Sequence, residues 1–143
     1  MENVRIYEMP ACRMVSSACG MFGDGKLERF DAWFSAFPAP MFPRDFLWFD
    51  NTRGGFVWYY LYEDGMVVPK EFEIVDFPGG LYAVATGIDG EDNTEELRAV
   101  DAFLAAHGFS KDESRARLGN VITPKQAQEK LGYCQMDYYT PVR

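Results

Sequence analysis

The stretch Ile6-Tyr7-Glu8-Met9-Pro10-Ala11-Cys12 returns later in the chain as Ile74-Val75-Asp76-Phe77-Pro78-Gly79-Gly80: isoleucine, any residue, an acid, an apolar residue, proline, then two small residues. A second match keeps step with the first. Leu27-Glu28-Arg29-Phe30-Asp31-Ala32-Trp33-Phe34 is answered by Leu97-Arg98-Ala99-Val100-Asp101-Ala102-Phe103-Leu104. The two matches hold the same order and nearly the same separation, so the chain reads as a duplication with halves at about 1–68 and 69–143 inside a single domain, 1–143.

Each half reads as β-α-β-β. A strand with a proline kink comes first, at about 3–18 and again at 71–87, because Pro10 and Pro78 each remove a ladder donor. A polar, glycine-containing turn leads to an amphipathic helix. Leu27, Phe30, Phe34 and Phe37 carry its apolar stripe in the first half; Leu97, Val100, Phe103 and Leu104 carry it in the second, between an Asn93 or Thr94 N-cap and a Gly108 stop. Strands at about 45–50 and 56–63, joined by Asn51-Thr52-Arg53-Gly54-Gly55, close the first half. In the second half 113–122 is weakly strand-like. Thr123-Pro124-Lys125-Gln126 then opens a short helix as a capping box, Gly132 ends it, and 133–142 is the last strand. The expected fold is α+β: an antiparallel sheet with helices on one face, the other face free, and a ligand cleft between the halves.

Composition excludes several functions. Net charge is −8, from 22 acidic and 14 basic residues, which opposes the cationic footprint that nucleic-acid binding needs. No apolar run approaches the roughly 20 residues that span a bilayer. The start MENVRIYEMP has no apolar signal core, and Cys12, Cys19 and Cys134 are odd in number without CxxC spacing. Reduced thiols in the cytoplasm, no metal and no cofactor are the expectation. Gly20-Met-Phe-Gly-Asp-Gly25-Lys26 has phosphate-loop spacing, but Leu27 stands where a magnesium-binding hydroxyl belongs, so it reads as a turn. His107 is the only histidine and falls in the last turn of the second helix, where a cation suits the helix dipole. No nucleophile is spaced to work with it, so no catalytic residue is assigned.

The aromatic content, 16%, asks for a reason beyond packing. In Phe56-Val57-Trp58-Tyr59-Tyr60-Leu61-Tyr62 the odd positions resemble a helix-covered core, while the even positions present rings with polar tips. The even positions of 45–50 are Phe46, Trp48 and Asp50, and the last strand sets Asp137 and Tyr139 opposite Met136, Tyr138 and Val142. Phe46, Trp48, Asp50, Trp58, Tyr60, Tyr62, Asp137 and Tyr139 are therefore the candidate ligand-binding residues, an aromatic box with carboxylates inside. Such a box suits an organic cation, since each cation–π contact contributes roughly 0.5–2 kcal/mol once desolvated.

The opening Val4-Arg5-Ile6 with Pro10, the middle Phe77-Pro78-Gly79-Gly80-Leu81-Tyr82-Ala83-Val84 and the closing Asp137-Tyr138-Tyr139-Thr140-Pro141-Val142-Arg143 resemble the gyrase-inhibitor-like family. This is the effector-binding domain of multidrug-responsive and AraC-type transcription activators. Leu118–Pro124 and Leu131-Gly132-Tyr133 are similar to AraC-linked members. The resemblance implies a duplicated β-α-β-β fold with an aromatic-lined cleft and a lipophilic, commonly cationic ligand. It also implies a choice among sensor or sequestering protein, hydrolase of reactive small molecules through a pocket carboxylate, and protein-interaction module. The chain has no helix-turn-helix segment, and Glu113–Leu118 stands where many members carry a pocket glutamate. A small organic ligand is the expected partner, with a protein partner possible and neither nucleic acid nor membrane contacted directly.

Overall fold

The computed structural model describes residues 3–143. Among them the order is β1 (Arg5–Met9), β2 (Cys12–Ser16), α1 (Lys26–Ser35), β3 (Asp45–Asp50), β4 (Gly55–Leu61), β5 (Glu73–Phe77), β6 (Gly80–Ile88), α2 (Thr94–His107), β7 (Leu118–Val121), α3 (Lys125–Leu131) and β8 (Gln135–Val142). The fold is α+β and the strand pairing is antiparallel. None of the described helices is long and apolar enough to cross a membrane.

The chain divides into two compact units. One is Pro10–Gly79; the other joins the chain up to Met9 to Gly80–Arg143. The boundaries fall at the two proline kinks, so each kinked segment is two strands that serve different units. The first unit orders its strands β3-β4-β2-β5 and the second β7-β8-β6-β1, the same pattern twice. The sequence repeat and the compact units are thus offset by one strand: β1 pairs with β6, and β5 with β2.

In the Pro10–Gly79 unit, α1 packs on one sheet face. Phe30, completely buried, meets Val15, Tyr60 and Phe72, with Trp33, Phe34, Phe37 and Trp58 around them. The turn before α1 accounts for the phosphate-loop spacing. Asp24 accepts from the backbone N–H of Met21 and Lys26, Glu28 accepts from those of Gly23 and Gly25, and Lys26 Nζ donates to the Cys19 carbonyl. The chain's own carboxylates take the donors that a phosphate would need.

In the other unit α2 lies on the face of Ala83, Ala85 and Val142, burying Val100 and Leu104 there. Its N-cap, Asn93, caps nothing with its side chain. The amide instead pairs with Ile88, accepting from its N–H and donating to its carbonyl, both at 3.0 Å, as a strand neighbour would. Gly87 makes room for it: a Cβ there would stand 2.3 Å from Asn93 Oδ1 and 3.0 Å from a Tyr138 ring carbon. Gly87→Ala is expected to destabilise by about 1–3 kcal/mol, the usual overpacking cost. Urea unfolding checks it, and Asn93→Ala in the Gly87→Ala background should add little, because the amide has already been displaced.

The capping box expected at Thr123 does not form. Pro124 is the N-cap of α3, and Thr123 Oγ1 accepts from the backbone N–H of Gln135 at 2.9 Å instead. A buried hydroxyl beside a strand takes the strand's donor in preference to the helix's. Only Leu118–Val121 of the weak 113–122 segment is strand. Before it, Arg115 pairs with Asp112 at 2.9 Å, donates to the Leu81 and Val142 carbonyls, and lies over the Tyr82 ring at 4.8 Å. That guanidinium ties β6 to β8 and occupies the space beside Gly80, where a Cβ would meet Arg115 at 2.6 Å.

Candidate functional site

Strand register sorts the candidate residues by face. In the Pro10–Gly79 unit Tyr60 pairs with Asp45 and with Val15, and Trp58 pairs with Leu47. All of these share the α1 face with Phe30. Phe46 pairs with Tyr59, Trp48 with Val57 and Asp50 with Gly55, and so belong to the opposite face.

The even positions of 56–62, expected to face a ligand, lie on the α1 face, and the odd positions, expected beneath a helix, face away from it. Trp58, Tyr60 and Tyr62 pack against the α1 cluster: Phe34 lies stacked on Tyr60 at 5.2 Å and edge-on to Trp58 at 5.2 Å, and Phe22 closes on Trp58 at 5.9 Å. The Arg13 guanidinium lies over the Tyr62 ring at 4.6 Å. The cause is the helix. Its stripe is Phe30, Trp33 and Phe34, with Phe37 just past its C-terminus, and rings of that size pack best edge-to-face or offset against other rings. The helix selects the more aromatic strand face.

Nor do Phe46, Trp48 and Asp50 join Trp58 and Tyr60 in one box. On the face opposite α1, Phe46 is buried, and Tyr59 brings Trp48 within 5.9 Å and Phe77 within 6.3 Å. Tyr59, whose parity had been assigned to the core, and Phe77, to which no face had been assigned, are further aromatic members of this face. The Trp48 indole nitrogen is buried without a hydrogen-bond partner among the described residues. Asp50 is committed to its turn, accepting from the backbone N–H groups of Thr52 and Arg53.

Beneath α1 lies a carboxylate that the alternation did not single out. Asp45 Oδ2 accepts from the Trp58 indole at 3.0 Å, and burial pushes its pKa up. A raised acid favours folding while protonated, so this contribution is present below the ordinary aspartate value of about 3.9 and is lost as pH rises through the folded value. Asp45→Asn keeps an acceptor for the indole without the charge. It is expected to raise Tm at pH 7, with the gain disappearing near pH 3.5. Calorimetric unfolding at the two pH values checks the sign.

In the unit holding β6 and β8, the face opposite α2 carries Asp137 and Tyr139 with Arg5, Tyr82, Thr86, Leu118 and Asn120, by the register Arg5↔Val84, Thr86↔Asp137, Leu118↔Tyr139 and Asn120↔Asp137. Asp137 is 8% exposed. Arg5 donates to its Oδ2 at 2.9 Å, and the Thr86 hydroxyl to its Oδ1 at 2.7 Å. Tyr82, 1% exposed, meets Tyr139 edge-on at 6.2 Å. Burial, then the negative charge of Asp137, pushes the Tyr139 phenol up to about 12, so it stays protonated at any physiological pH. Asn120 is buried, and its Oδ1 has no hydrogen-bond partner among the described residues. Tyr82, Thr86, Arg5 and Asn120 were not legible as site residues. The signal was available for Tyr82, which falls inside the Phe77–Val84 motif, but register was needed to put it beside Tyr139.

No protein-family model and no curated protein matches the sequence. Solved structures do. The chain is similar to the C-terminal domain of EcmrR at 10% identity, with 98% of this chain and 96% of that one covered and a TM-score of 0.65. A hydrolase from Listeria innocua is similar at 10% identity, covering 99% and 92%, with a TM-score of 0.67. SAV2435, solved with tetraphenylphosphonium bound, is similar at 9% identity, covering 100% and 94%, with a TM-score of 0.57. The chain shares the fold of these structures. At these identities the likeness extends to backbone architecture, which is the architecture implied by the resemblance of the Val4–Pro10, Phe77–Val84 and Asp137–Arg143 motifs.

Proposed function

We propose that this chain binds a lipophilic organic cation or amphipathic molecule, as a sensor or a sequestering protein. The observation that carries the reading is Asp137: a carboxylate 8% exposed whose charge acts on Tyr139, a ring that Tyr82 meets edge-on, on a sheet face that α2 leaves alone. A buried anion needs a cation, and ring faces are the apolar surface that best tolerates one. Arg115 already lies on the Tyr82 ring at 4.8 Å. The fold-level neighbour solved with tetraphenylphosphonium supports the same ligand class.

The binding reading is favoured over a hydrolase. Asp137 accepts from both a guanidinium and a hydroxyl, which fixes a counter-ion in place rather than leaving a base open to water. Titration calorimetry of the full chain with tetraphenylphosphonium tests the proposal. Saturable binding at micromolar concentration is expected, with a much weaker response to neutral triphenylphosphine oxide. Equal affinity for the two would remove charge recognition from the proposal.

A further inference from the structure

Asp137 already has a cation. Arg5 reaches it from β1, with its guanidinium on Oδ2 at 2.9 Å while 59% of the arginine side chain remains exposed. Asp137 itself is 11% exposed by side chain. The arrangement is asymmetric: the acid is fixed and buried, and the base arrives on a long, solvated arm. Thr86, the acid's other partner, is a neutral donor and does not offset its charge.

The surroundings of Arg5 hold a second place for that arm. Arg5 and Thr86 line a cavity of about 570 Å³ together with Asn3, Ala85, Glu95, Glu96 and Ala99. Glu95 and Glu96 form the acidic first turn of α2. Neither glutamate is ion-paired in the described structure, whereas Asp137 is. Arg5 therefore lines one cavity with two carboxylates while its guanidinium sits on a third.

Resting on the cation-binding reading, we infer that Arg5 is a built-in competitor for the ligand site: it occupies Asp137 in the empty protein, and an arriving cation displaces it toward Glu95 and Glu96. The exchange conserves charge. One cation leaves the buried carboxylate as another takes it, and the displaced guanidinium finds acids in the cavity it already lines. Empty, the protein avoids an uncompensated buried charge, which would be destabilising. Loaded, it keeps Arg5 paired. The displacement lowers apparent affinity by the fraction of time that Asp137 is open, so an arginine resident for nine tenths of the time imposes a factor of about ten.

The test is a cycle of variants titrated with tetraphenylphosphonium. Arg5→Met removes the competitor and should tighten binding about tenfold. Glu95→Gln with Glu96→Gln removes the alternative seat and should weaken binding in the wild-type background, yet leave the Arg5→Met affinity unchanged, because the acids matter only while Arg5 has to move. A general attraction between acids and cations gives equal weakening in both backgrounds and overturns the inference, as does unchanged or weaker binding by Arg5→Met. Should Arg5→Met fold poorly, the Arg5 guanidinium N–H resonance of the wild-type chain reads the same event. It should move on saturation, and a stationary signal under saturating ligand refutes displacement. If neither wild type nor Arg5→Met binds the cation at all, the binding reading itself has failed.

Discussion

Trp58→Ala is expected to remove about 3–5 kcal/mol of stability, the usual cost of emptying a large aromatic site. That is a large part of the 5–15 kcal/mol or so that holds a domain together. The side chain sits among Phe22, Phe30 and Phe34, at ring distances of 5.9, 6.1 and 5.2 Å. Rings held by a helix on one side and a sheet on the other have little room to close the gap. The indole also donates to Asp45, whose carboxylate would lose its donor. An unsatisfied buried polar group adds about 1–3 kcal/mol. The two contributions separate by variant. Trp58→Phe refills most of the volume but leaves Asp45 without its donor, and Asp45→Asn in that background should recover part of the loss, since a neutral amide is cheaper to leave buried than a charge. Urea unfolding of the three variants measures the split. A Trp58→Ala protein with wild-type stability would mean that the α1 face is not packed as described.

Asp137→Asn is expected to weaken tetraphenylphosphonium binding by about 30- to 100-fold, which corresponds to roughly 2–3 kcal/mol. The substitution keeps the shape and an acceptor for Thr86, so it isolates the charge. Affinity for triphenylphosphine oxide should change little, and that contrast separates loss of charge recognition from damage to the fold. The change also strands Arg5 without its partner, but that side chain is 59% exposed and solvent takes over the role. Calorimetric titration of both compounds against both proteins checks the expectation. Parallel losses for the cation and the neutral compound would point to a collapsed site instead of a missing counter-ion.

The two expectations rest on different levels of legibility. The α+β class and the helix positions came from local signals. Phe30, Phe34, Val100 and Leu104 repeat at helical spacing, and Gly108 and Gly132 stop their helices with φ of 74° and 80°. Pro10 and Pro78 break the ladder where a residue without N–H must. The Asp137 and Tyr139 parity was equally readable from β8. What failed was the assignment of faces on β4. Val57, Tyr59 and Leu61 are apolar enough to be a core, and Phe56, Trp58 and Tyr60 are as well. Alternation says which residues share a side, not which side a helix covers.

The amino-acid sequence by itself determined that two similar halves would each form a helix and antiparallel strands, because helical spacing, glycine stops and proline breaks act within a few residues of chain. Tertiary structure alone decided the rest: that α1 claims the Trp58 and Tyr60 face, that each kinked segment divides its strands between two compact units, and that Arg5 reaches Asp137 across 132 positions of sequence. Those outcomes depend on register and on which ring packs best against which. They are sums over long-range contacts, and no local window of sequence contains them.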